Sequence, residues 1–347
     1  MQNKFNNKSA KTTFCLVSEV EQAVRDFPEK LARTVFIATP QQNTPAASGR
    51  DIVLYGCSEA IEFERSRPRH LEDIAAIIES AAKAHGSIVF YHKSTDQHFL
   101  CLQDRGYMHS LFRNADFCTA HSFDHELGHI LSKDGKRTSG NDPLGETIAD
   151  CYAALRSVQR FGADALEPLF HHAGIRARGF IRLNSASHLT TLAADALLHE
   201  KTVAQIQSLT PRQTLALAEK YAYRYQPALD DLLRIKQELF EFCDIETSSQ
   251  TQSKLVKNLL STDDVYLFSI GARALMPQLD PGDNPLTTMI LPLGLRIEYA
   301  KKLSLKAEYL GLQTLALKFN AAHDRLTAAS STQQKPPGSK ATGRLKP

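Results

Sequence analysis

The sequence predicts an α+β chain: an N-terminal α/β part with a small mixed sheet, a helix carrying an HExxH pattern, and a mainly helical C-terminal part. Three observations predict it. Short β-branched and aromatic runs are concentrated N-terminal to residue 103. From Asn114 onward apolar positions recur at helical spacing, punctuated by capping and stop signals. Two histidines four residues apart stand in the first of these helical stretches.

Taken in order, TVFIAT (Thr34 to Thr39) and DIVLYG (Asp51 to Gly56) suit strands, with a loop rich in Pro, Gln, Asn and Ser between them. Ile74, Ile77, Ile78, Ala81 and Ala82 are spaced for a helix that Gly86 stops. SIVFYH (Ser87 to His92) and HFLCL (His98 to Leu102) read as a hairpin. Asn114 or Asp116 caps a helix through HSFDHELGHILSK toward Gly135. After the polar loop DGKRTSGND, Asn141 or Asp142 caps the next helix and Pro143 takes its favoured first position. That helix carries GETIADCYAALRSVQRF and stops at Gly162. Thr210, Pro211 and Gln213 form a capping-box start, and Pro227 separates that helix from a stripe of Leu229, Leu232, Leu233, Leu239 and Phe240. Leu295 to Thr327 is mostly helical. The final SSTQQKPPGSKATGRLKP, with four basic and no acidic residues, reads as a disordered basic tail. The expected divisions are residues 1–115 (α/β part with the substrate-side sheet), 116–162 (metal-binding helices), 163–328 (helical part) and 329–347 (tail).

Composition narrows the function. Of 347 residues, 42% are hydrophobic and 23% charged, the balance of an ordinary globular chain. A net charge of +3 argues against a dedicated nucleic-acid binder. No apolar run has the length of a membrane span, and no signal-peptide core follows Lys4, Lys8 and Lys11. The expected location is therefore cytoplasmic, or outside the cell by a specialised secretion machinery that needs no cleaved signal, including injection into a host cell. The six cysteines contain no CxxC pair and read as packed free thiols. Neither a glycine-rich phosphate loop nor a GxSxG elbow is present.

The chemistry concentrates at His125-Glu126-Leu127-Gly128-His129. Residues i and i+4 share one face of a helix, so both imidazoles can point at one ion, and neutral imidazole is a good zinc ligand. Glu126 projects to the flank, where it can take a proton from an activated water. A catalytic zinc needs a third protein ligand. A third histidine of the HExxHxxGxxH type is excluded, because Ser132 and Gly135 occupy those positions. Glu146, 17 positions after His129, is placed for the role on the following antiparallel helix. Asp150, one turn later on the same face, can accept the spare ring N–H of a liganding histidine.

HELGH followed by ETIAD resembles the gluzincin arrangement of thermolysin-like zinc metallopeptidases, HExxH then ExxxD on the next helix. The resemblance covers roughly residues 87 to 160 and marks a divergent member, with a shorter loop between the helices. It implies a zincin-like fold and one zinc ion per chain, with His125, His129 and Glu146 as ligands, Glu126 as general base and Asp150 supporting a histidine. It also implies a sheet edge, here the 87–102 hairpin, along which extended substrate pairs.

The expected function is a zinc-dependent endopeptidase acting on a protein or peptide substrate, housekeeping or as a bacterial effector or toxin. The alternative is a helical binding or scaffold protein with a structural or vestigial metal site. His188 offers a donor to the oxyanion, weighed against a histidine that merely begins a helix. Tyr221, Tyr223 and Tyr225 offer another donor, weighed against packing. Arg176, Arg178 and Arg182 read as a solvated basic face.

Overall fold

The computed structural model describes residues 16–31, 34–38, 53–56, 88–92, 97–102, 115–132, 143–182, 189–245, 248–280 and 290–333. The helix expected near residues 74–82, the caps at Asn114, Asn141 and Asp142, and His188 lie outside the described residues. Two helices come first, α1 (Leu16–Asp26) and the single turn α2 (Pro28–Leu31). Strands β1 (Val35–Ala38), β2 (Val53–Gly56), β3 (Ile88–His92) and β4 (Gln97–Leu102) follow. Thereafter come α3 (Ala115–Leu131), α4 (Pro143–Phe161), α5 (Leu166–Arg182), α6 (Thr191–Glu200), α7 (Val203–Gln207) and α8 (Pro211–Tyr225). The chain continues through α9 (Leu229–Leu239), α10 (Ser249–Ser261), α11 (Val265–Leu279), α12 (Leu293–Tyr309) and α13 (Gln313–Gln333).

The α+β class expected from sequence is corrected: the described chain is mainly helical. Its strands hold four to six residues each, whereas α13 alone has 21 and helices account for nearly everything described from Ala115 onward. The β-branched runs that suggest a mixed α+β architecture are too short to define the fold. They form one patch, ordered β2-β1-β4-β3, in which β1 runs parallel to β4 and the other two pairings are antiparallel. This patch is an accessory to α3: β3 and β4 pack on that helix, and the Phe36 and Phe123 rings meet at 6.3 Å.

The chain divides into two compact units, one of residues 1–169 and 200–226, the other of 170–199 and 227–347. In the first unit α4 is the spine, lined on one side by α3 and on another by α8. From Glu146 to Leu155 every residue of α4 is buried, which a helix needs when it is enclosed by neighbours. Pro143 opens it, and Gly162 closes it at φ +59°, a conformation that glycine adopts without a Cβ penalty. The Gln159 amide donates to Ile206 O (3.2 Å), Leu209 O (3.1 Å) and Thr214 Oγ1 (3.0 Å), tying the α7–α8 turn to α4. Thr210 and Gln213 form the capping box that starts α8.

The second unit gathers around α11, buried from Leu267 through Met276 and packed by α9, α10, α12 and α13. Asp264 caps α11 by accepting from Tyr266 N (2.9 Å) and Leu267 N (3.0 Å). Among the described residues no helix is long and apolar enough to cross a membrane. The last described helix runs to Gln333, so the first residues of the stretch read as tail are helical.

Candidate metal centre

Helix α3 carries His121, His125 and His129 at successive four-residue steps, and α4 carries Glu146, Asp150 and Ser157 along its facing side. The helices run antiparallel. His129 meets Glu146, His125 meets Glu146 and Asp150, His121 meets Ser157, and the Phe117 and Phe161 rings close the far end at 5.5 Å. Gly128 permits the approach. A Cβ there would sit 2.8 Å from Ala149 Cα, a separation that real Cβ atoms do not reach. The glycine between the two histidines thus lets α4 close on α3 directly beside Asp150.

Three side chains converge at this point. His125 Nε2 lies 3.2 Å from His129 Nε2 and 3.4 Å from Glu146 Oε2, and His129 Nε2 lies 3.6 Å from Glu146 Oε1. Ligands at about 2.0–2.1 Å from a tetrahedral zinc lie about 3.3–3.4 Å from one another, and the spans from the two histidines to the two Glu146 oxygens are of that size. The ligand chemistry fits as well: two imidazoles and one carboxylate leave a fourth tetrahedral position for a water or substrate.

The ring tautomer follows from Asp150. His125 Nδ1 donates to Asp150 Oδ1 at 2.6 Å, which places the proton on Nδ1 and turns the Nε2 lone pair into the triangle. Asp150 is only 3% exposed, so this bond is shielded from water. The side chains of His125, His129 and Glu146 retain 11–16% exposure. Glu146 lies in the first turn of α4, where the helix dipole favours a negative charge. Glu126, one residue beyond His125 and therefore about 100° round the helix, is buried at 7% exposure.

A further feature holds the helix pair in register. Asp124, fully buried, receives Arg160 through both terminal nitrogens and Arg156 through Nε at 3.6 Å. Glu19 of α1 joins the same guanidiniums, at 2.6 Å from Arg160 and 3.3 Å from Arg156. Burial pushes the Glu19 carboxyl up, but Arg160 and Arg156 outweigh it and hold it below the usual range. At the start of α4, the Thr147 hydroxyl donates to Pro143 O at 2.7 Å and also meets the Gln226 amide.

Of the residues singled out from sequence, the structure brings together His125, His129, Glu146 and Asp150, and places Glu126 on the same helix as the two histidines. It does not bring Cys118 into the triangle: the thiol is buried in α3, and burial pushes its pKa up to about 12. Cys151 is buried too, but Cys243 is exposed, which corrects its reading as a packed thiol. Tyr221 and Tyr225 both donate to Glu200, at 2.5 Å each, while Tyr223 is exposed. On α5, Arg176 and Arg178 are half-buried and Arg182 is exposed. Sequence reasoning missed the Asp124–Arg156–Arg160–Glu19 cluster and the buried His121–Ser157 pair. Only the i, i+4 step from His121 to His125 signals the latter.

No protein-family model matches the chain, and no curated protein or solved structure shows significant similarity to it.

Proposed function

We propose that this chain is a zinc-dependent endopeptidase of the gluzincin kind. The observation that carries the reading is the triangle of His125 Nε2, His129 Nε2 and Glu146, sized for one zinc ion, with Asp150 2.6 Å behind the first histidine. A zinc ion held there supplies Lewis acidity, polarising a peptide carbonyl and acidifying a water near neutral pH. The remaining chemistry belongs to the chain. Glu126 accepts a proton from the attacking water as its oxygen bonds to the carbonyl carbon, then delivers that proton to the nitrogen as the C–N bond breaks. Asp150 keeps His125 in one tautomer throughout. Strand β3 ends the described strand order and packs on α3, and it is the candidate for pairing with an extended substrate strand.

Glu126→Gln tests the reading. An amide keeps the shape of the side chain but cannot take the proton. The expected outcome is retained fold and zinc content with peptide cleavage lost by 100-fold or more, in line with the ~10²–10⁴-fold worth of a positioned base. Cleavage within a few-fold of wild type would remove Glu126 from the mechanism. Unchanged biological function without any cleavage would instead favour the scaffold with a structural metal.

A further inference from the structure

We infer that Gln226 is a positioning residue of the metal centre, acting on Glu146 through Thr147; this rests on the zinc reading above. Glu146 stands in the first turn of α4. The opening turn of a helix is its weakest part, since its first N–H groups have no partner within the helix and its end frays most readily. A ligand carried there holds its place only if the turn is fastened from outside. Thr147, the next residue and fully buried, supplies the fastening point. Its hydroxyl reaches back to Pro143 O at 2.7 Å and so closes the segment 143–147 around Glu146. The same hydroxyl meets the side-chain amide of Gln226, 79 residues away in the chain.

Gln226 is itself held. It is the C-cap of α8, and its backbone N–H donates to Ala222 O at 2.9 Å. The first turn of α4 is thus tied to the end of a helix that packs along α4. The two helices run antiparallel, and a second glutamine ties them at the opposite end: Gln159 donates to Ile206 O, Leu209 O and Thr214 Oγ1, beside the start of α8. Gln159 lies thirteen residues beyond Glu146, about 20 Å along the helix. Both glutamines join α4 to the α7–α8 segment, but only Gln226 does so at the turn that carries a ligand. The Gln226 tie therefore sets the position of Glu146, while the Gln159 tie sets stability alone.

That contrast is the test. Zinc affinity is measured by chelator competition on the full chain, with thermal melts of each variant. Gln226→Leu, which keeps the bulk and removes the amide, is expected to weaken zinc about 3–10-fold, less than the ~10–100-fold of a side chain bonded directly to a ligand. Gln226→Glu keeps an acceptor oxygen for the hydroxyl and is expected to stay within about twofold of wild type. Gln159→Leu is expected to lower the melting temperature while leaving zinc affinity within about twofold. In a Thr147→Val background, Gln226→Leu is expected to change affinity less than about twofold, because the group it acts through is gone. Wild-type affinity in Gln226→Leu, an equal loss in Gln159→Leu, or an undiminished effect in the Thr147→Val background would overturn the inference while leaving the zinc site intact. Should Gln226→Leu not fold, Thr147→Val is compared with Thr147→Ser, which keeps the hydroxyl: a loss confined to the valine variant supports the tie, and equal affinities overturn it. A wild-type chain that takes up no zinc would overturn the metal centre itself and this inference with it.

Discussion

At Gly128 a single methyl group decides how closely two helices approach. Its Cβ would be 2.8 Å from Ala149 Cα, and the obstacle is backbone, which cannot rotate aside. Gly128→Ala must therefore push α3 and α4 apart at the level of Asp150. The expected cost is about 1–3 kcal/mol of stability, as for other overpacked cores. Zinc affinity should fall as well, since the 3.4 and 3.6 Å spans from His125 and His129 to Glu146 cross that same gap. Urea melts and a zinc titration of Gly128→Ala check both; an affinity equal to wild type would show that the triangle does not depend on this contact. At this scale the sequence is highly informative. HELGH and ETIAD name the donors, and the i, i+4 rule by itself brings two of them to one helix face. The role of Asp124 is not legible there, because an aspartate inside a helix looks solvated until Arg156 and Arg160 are seen to close on it.

Among the elements, α4 is legible in the sequence, whereas the strand-like runs overstate the sheet. The burial of α4 follows from its small and apolar residues between Thr147 and Leu155, and its limits at Pro143 and Gly162 carry the marks of a helix start and stop. The contribution of α1 is hidden, since Glu19 meets Arg156 and Arg160 across more than a hundred residues of chain and no local pattern encodes that. Its consequence is a pH dependence. The folded-state pKa of Glu19 lies below its ordinary value, so the stabilisation it brings is present above about pH 4.3 and is lost as pH falls through the folded pKa. Glu19→Gln should be less stable than wild type at pH 7, and the difference should shrink as the pH falls through the folded-state pKa, where the wild-type carboxyl becomes protonated too. Denaturant melts of the two proteins across that range check it; a constant difference would assign Glu19 a packing role instead.

For the whole molecule, the proposed metal ligands, Glu126 and Asp150 all belong to the first unit. The second unit has its own core around α11, with Arg273 buried among apolar neighbours and held by Asp195 of α6 and by the Phe170 ring 5.0 Å away. The mainly helical class is hard to judge from sequence because the strand-like runs come first and are read one at a time, while the class depends on how much helix follows them. Periodicity identifies elements but does not weigh them. The proposed function depends on a single zinc held by two histidines and one glutamate. Zinc-edge X-ray absorption of the zinc-loaded full chain, paired with Glu146→Ala, tests it most directly. One equivalent of zinc is expected in the wild type, with nitrogen and oxygen scatterers at about 2.0–2.1 Å, two of them imidazoles, and none of the sulfur at about 2.3 Å that a cysteine would give. Glu146→Ala should lose most of the bound metal. Failure of the wild type to take up zinc, a sulfur scatterer in its spectrum, or the same spectrum and occupancy from Glu146→Ala would contradict the assignment.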